Sequence, residues 1–198
     1  MYAIVRLIRF RAAQDPPQRA TVWALAFGFL TVAGLLGFVA HGFVLSPETL
    51  RFLWQPLFLC LGLTISMFAV GVIIDLKESS VSPAVIVASA VIAVLFYATT
   101  HLFSGDFLVF IVYEAFVMLF AIVAYLIILV KRRESYARWM LAGIVVTLIA
   151  AVIQATGTAS ITIIWEFDHN GIFHLVQILG ILLILTGLSP RNVVKIRI

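Results

Sequence analysis

The sequence predicts an all-α, polytopic membrane protein: a six-helix transmembrane bundle preceded by a short interfacial helix. Three observations carry that expectation. Hydrophobic residues make up 64% of the 198-residue chain and charged residues 11%, whereas soluble domains hold roughly 45–50% apolar residues. The mean hydropathy is +1.18. The apolar residues also gather into six runs, each near the ~20 residues that a helix needs to cross a hydrocarbon core of about 30 Å.

Residues 1–20 interleave Ile4, Val5, Leu7, Ile8 and Phe10 with Arg6, Arg9 and Arg11 and then break at Pro16-Pro17. That pattern suits an amphipathic helix lying among lipid headgroups and acting as an anchor. The apolar run that follows is longer than the roughly 7–15 residues of a signal-peptide core, so a cleaved leader is not expected. The spans are placed at 21–44, 53–74, 84–103, 107–130, 139–159 and 168–188. Ser46-Pro47-Glu48, Ser79 to Pro83, Ser104-Gly105-Asp106 and Ser189-Pro190 supply caps and breakers between or after them. The connection from Gly157 to Ile164 is the least defined, because its Thr and Ile residues can also extend a helix. With no long linker and no internal repeat, residues 21–198 read as one domain.

Orientation follows from the basic residues, which are retained on the cytoplasmic side. With the N-terminus inside, Arg6, Arg9, Arg11, Arg19, Lys77, Lys131, Arg132, Arg133, Arg138, Arg191, Lys195 and Arg197 are inside and only Arg51 is outside. Trp23 and Trp139 then fall at the inner interface, Trp54 and Trp165 at the outer, as an aromatic belt requires. Both termini are expected in the cytoplasm, and the bacterial inner membrane is the expected compartment. The formal net charge of +4 comes from residues at the ends of apolar runs, so it reflects topology and nucleic acid is not an expected partner. Cys60, the single cysteine, has no intrachain disulfide partner and reads as a small core residue.

Against this apolar background, Trp165 to His174 stands out. Glu166, Asp168, His169, Asn170, His174 and Gln177 crowd the start of the last span, where each polar group needs a partner away from water. Asn170, His174 and Gln177 recur at i, i+4 and i+7, one polar stripe expected to face other helices rather than lipid. His41 ends the first span and His101 the third, so all four histidines share the outer leaflet. Counting inward at about 1.5 Å per residue brings Tyr97, Glu114, Gln154 and His174 to a similar depth.

Each residue also has a plain reading. His41 and His101 suit interfacial helix ends, Asp168 suits an N-cap, Glu166 and Asp106 suit solvated loops, and Asp75 suits a cytoplasmic helix terminus. Gln154 and Gln177 suit hydrogen bonds between helices. Glu114 and His174 resist that treatment, since an ionisable group inside the hydrocarbon marks a functional site by default. Imidazoles from three helices near carboxylates fit a zinc site with an open position for an acidified water. His169 and His174 stand about 140° apart on a helix, so both reach one ion only if His169 lies on an unwound lead-in.

The segment Asn170-Gly-Ile-Phe-His174 resembles the last-helix motif of the membrane hydrolase superfamily that includes alkaline ceramidases, adiponectin-receptor-like proteins and hemolysin III-like proteins. Ile172-Phe173-His174 is close to the receptor-like version, and His41 takes the early-helix position. The sequence departs from the motif in carrying Asn170 where the first histidine of the pair belongs, and it has no Ser-x-x-x-His before His41. The resemblance implies a zinc-dependent hydrolase that cleaves an amide or ester bond of a membrane lipid or amphipathic substrate at the outer leaflet. His41, His169 and His174 would hold zinc, His101 would be a fourth ligand or touch the substrate, and Asp168 or Glu114 would move the proton. Two other classes stay open. One is a haem-binding or structural subunit of a membrane complex, with membrane-protein partners or a second copy of the chain. The other is a small transporter or sensor with a polar cavity.

Overall fold

The computed structural model describes residues 2–9, 11–13, 16–102, 107–158, 160–162 and 166–189, with backbone alone for Ala13, His101, Phe107 and Glu166. The expected loop at Ser104 to Asp106, the outer-interface Trp165, the breaker Pro190 and the basic residues Arg191, Lys195 and Arg197 lie outside the described residues. The protein is all-α in its membrane part. Six helices are long and apolar enough to span a membrane. The chain forms two compact units, Met1–Val117 and Met118–Ile198.

In the first unit, α1 (Tyr2–Arg9) packs along α2 (Pro17–Gly42) and buries Leu7. Pro16 is extended and Pro17 opens α2, a position where the missing N–H costs nothing. The helix therefore starts four residues before the expected span and takes in Gln18 and Arg19. Similarly α3 (Pro47–Lys77) begins well before the expected 53, because Ser46 caps it by accepting from the Thr49 N–H at 3.2 Å and Pro47 sets the first turn. At 31 residues it is about 46 Å long. It ends at Glu78 in the left-handed region, φ 53°. Next come α4 (Pro83–Leu102) and the first part of α5 (Phe107–Ile127). Val22 and Ala26 of α2 and Met67, Val70 and Ile74 of α3 join Val81 in the core of this unit. Trp23 lies edge-on to Phe68 with centroids 5.1 Å apart, and its ring fits against Gly71, where a Cβ would come within 2.7 Å of it.

In the second unit, α5 ends in a turn of π-helix (Ile128–Arg132) that Arg133 terminates at φ 56°. Next, α6 (Tyr136–Thr156) stops at Gly157, which takes the left-handed cap conformation, φ 65°. The poorly defined fifth connection is a two-residue antiparallel ladder, β1 (Ile161–Thr162) with β2 (Glu166–Phe167). Its Ile and Thr are β-branched, which favours a pleated strand over a helix extension. Finally α7 (His169–Gly187) returns along α6. Three glycines set that approach. A Cβ on Gly143 would meet Ile184 Cγ1 at 2.5 Å, one on Gly180 would meet Thr147 Oγ1 at 2.8 Å, and one on Gly187 would meet Met140 Sδ at 2.7 Å. Small residues let two helix backbones come together, the usual basis of helix packing in lipid.

Candidate functional site

His41 and His169 lie at helix ends and His174 in the second turn of α7. His41, in the last turn of α2, is exposed, and its ring meets Trp54 of α3 edge-on at 5.7 Å. Backbone alone places His101 in the last turn of α4. His169 is half-buried and is the first residue of α7 after the Asp168 cap, so it is helical and not on an unwound lead-in. It therefore stands about 140° around the helix from His174. His174 is exposed, tilted against Phe173 at 4.8 Å. The polar stripe is thus only partly enclosed, with Asn170 and Gln177 half-buried and His174 outward. The reason is where α7 is covered: its buried residues, Gly180, Ile184, Leu185 and Gly187, all lie in its second half.

Asp168 acts as a cap. Its carboxylate accepts from the Gly171 N–H at 2.9 Å and from Asn170 Nδ2 at 3.3 Å. The Gly171 N–H, then the Asn170 side chain and the charge of His169, hold its carboxyl below the usual carboxylate range. Among the described residues no group of three or more His, Cys, Asp and Glu side chains is placed to hold a metal ion. His169 and His174 do not share one face of α7, as the motif's pair of last-helix ligands would.

A different set of polar groups does come together, in the first unit and between apolar spans. Tyr113 of α5 hydrogen-bonds Ser66 of α3 at 2.7 Å through their hydroxyls, and Tyr97 of α4 donates to Gln55 Oε1 of α3 at 3.1 Å. Phe96 stacks on Tyr113 at 5.1 Å and meets Phe110 at 6.1 Å. Gly62 makes room for this, since a Cβ there would come within 2.7 Å of the Phe96 ring. Glu114 follows Tyr113 on α5 and is half-buried. It lies on the arc of the helix that carries buried Phe110, and within its own unit it has no hydrogen-bond or ion-pair partner among the described residues. Of the residues expected at one depth, Tyr97 and Glu114 fall in the first unit and Gln154 and His174 in the second, and of these Tyr97 joins the hydrogen bonds to α3. Gln55, Ser66 and Tyr113 were not legible in the sequence, because a hydroxyl or amide inside an apolar run carries no signal of which helix it will meet.

The largest omission is at the other end of the same unit. Arg19 and Asp75 form a bidentate ion pair between α2 and α3, Nε to Oδ1 and Nη2 to Oδ2, the latter at 3.2 Å, with the side chains 4% and 0% exposed. Both charges sit at the helix end that the backbone dipole disfavours, a cation near an N-terminus and an anion near a C-terminus, so their stability there depends on each other. Beside them Gln18 bridges to the α3–α4 connection, donating to the Val81 carbonyl at 3.0 Å and accepting from its N–H at 2.7 Å. A sequence signal existed: opposite charges just beyond the cytoplasmic ends of two adjacent expected spans.

Six membrane-length helices, paired by buried polar groups in one unit and by glycines in the other, define an all-α, multi-pass membrane protein. The chain belongs to DUF6962, a family of unknown function whose model matches residues 1–192. No curated protein and no solved structure matches it.

Proposed function

We propose that this protein is a small membrane transporter that carries protons, with Glu114 as the carrier. The observation behind this reading is Glu114 itself, a half-buried carboxyl group on an apolar span, next in sequence to Tyr113 of the Tyr113–Ser66 pair and without a partner in its unit among the described residues. Carboxyl groups are rare within spans, and those not paired with a cation commonly mark ion pathways or proton relays. Glu114 takes up a proton to become the neutral acid and gives it up on the opposite side. The hydroxyls of Tyr113 and Ser66 each both donate and accept, so they are suited to pass a proton to or from the carboxyl. The Tyr113–Ser66 and Tyr97–Gln55 hydrogen bonds anchor these polar groups between α3 and the neighbouring α5 and α4.

The distribution of basic residues, twelve on the N-terminal side against Arg51 on the other, supports cytoplasmic termini. In proteoliposomes with an imposed potential and an entrapped pH dye, wild-type protein should acidify or alkalise the lumen faster than empty vesicles. Glu114→Gln should return the rate to the empty-vesicle level while helix content by circular dichroism is retained. Equal rates for wild type and empty vesicles, or for wild type and Glu114→Gln, would overturn the reading. Stoichiometric zinc in the same preparation, lost on His174→Ala, would favour the lipid-hydrolase alternative instead.

A further inference from the structure

The first helix divides its apolar arc between the protein and the outside. Successive residues of a helix turn by 100°, which places Leu7, Ile4, Ile8 and Val5 on one continuous arc and Tyr2, Arg6 and Arg9 on the other. Leu7, at one edge of the apolar arc, is 2% exposed and docks on the first unit, whereas Ile8 and Val5 farther along it are 58% and 46% exposed. A soluble docking helix would bury the centre of its apolar arc. Here, near the centre, Ile4 is half-buried and Ile8 exposed, and the far edge at Val5 is uncovered, immediately before a membrane span, as a helix at the bilayer interface requires.

The chemistry of what covers it follows from charge. Arg9 and Arg11 are exposed, and α1 and the turn after it contain no acidic residue between Tyr2 and Ala13. We infer that α1 and the following turn bind the anionic headgroups of the bilayer, with Val5 and Ile8 in the acyl region and Arg9 and Arg11 on phosphates. Arginine suits this better than lysine because its planar fork can take two oxygens of one phosphate. An exposed arginine near an anionic surface strengthens association by up to about fivefold. This inference stands apart from the transport reading, because it rests on residues other than Glu114, Tyr113 and Ser66.

The test uses the full chain in nanodiscs, with Cys60→Ala and a bimane fluorophore on Ile8→Cys. The discs contain acyl-chain nitroxide on either phosphatidylcholine or phosphatidylglycerol at equal mole fraction. Both nitroxide lipids should quench the bimane, and the phosphatidylglycerol form should do so several-fold more effectively. Arg9→Gln with Arg11→Gln should reduce the anionic lipid to the phosphatidylcholine level and leave quenching by the latter in place. Quenching by a water-soluble agent alone would show that α1 is not in the interface. Equal quenching by both lipids in the wild type, or an excess that survives the double substitution, would overturn headgroup selection by these arginines.

Discussion

The two units solve the same problem, joining helices where lipid offers no hydrophobic drive, by opposite means. The first unit uses polar pairs: Arg19 with Asp75, Gln18 with the Val81 backbone, Ser66 with Tyr113 and Gln55 with Tyr97. The second relies on glycines that let α6 and α7 approach until a Cβ added at Gly143 would lie 2.8 Å from the Gly180 carbonyl. Polar pairs are specific in partner but leave a high cost when one member is lost. Close packing spreads its stabilisation over many contacts and tolerates loss better than addition.

That contrast sets the size of mutational effects. Asp75→Ala should be the most damaging change, about 3–5 kcal/mol, because it strands the Arg19 guanidinium in a buried site. The double replacement Arg19→Met with Asp75→Leu should recover most of the loss in thermal unfolding of detergent-solubilised protein. If the single change is as mild as the double, the first unit is held by apolar packing and the contrast collapses. Gly143→Ala comes next, at about 1–3 kcal/mol, since the added methyl would overlap Ile184 Cγ1 and the Gly180 carbonyl, and backbone cannot rotate away. An unchanged melting temperature would show that the α6–α7 approach is not glycine-limited.

The smallest expected effect is at the open end of α7. The carboxyl of Asp168 is held low in the folded state, so its contribution is fully present above the ordinary carboxylate range. It is lost as the pH falls through that range and then through the depressed folded value. Amide-exchange protection of Gly171, corrected for the intrinsic rate, should fall in acid, and Asp168→Ala should lower it at neutral pH and abolish the acid dependence. For an exposed cap the loss should lie toward the low end of about 0.5–2 kcal/mol. Equal protection in both proteins would mean that the first turn is fixed by α6 packing.

The sequence disclosed the spans, and it disclosed the caps at Ser46 and Asp168, because both signals are local: run length, breaker residues and an oxygen three residues before a free N–H. It also marked Tyr97 by depth as a polar group within its span, and Tyr97 does bond Gln55. Partnership was hidden. Arg19 reads as one more topology-setting cation and Asp75 as an ordinary helix end until α2 and α3 are side by side. The stripe of Asn170, His174 and Gln177 was legible as a face, but how much of it is enclosed was not. Periodicity defines a face, but which half of α7 is covered depends on where Gly180 and Gly187 let it meet α6.

The Arg19–Asp75 pair has a consequence for how the chain is made. The two residues are 56 positions apart, so at the synthesis rates common for ribosomes Arg19 emerges about 3–11 s before its partner. Over that interval α2 must be inserted with an unneutralised guanidinium, which its long stem can hold at the headgroup level while the rest of the helix crosses. Only when the far end of α3 arrives does the charge acquire its counterpart and move out of reach of water. A ribosome stalled between these two points would leave α2 shallow and its arginine accessible, so the nascent chain itself records, in the depth of one residue, how far its synthesis has gone.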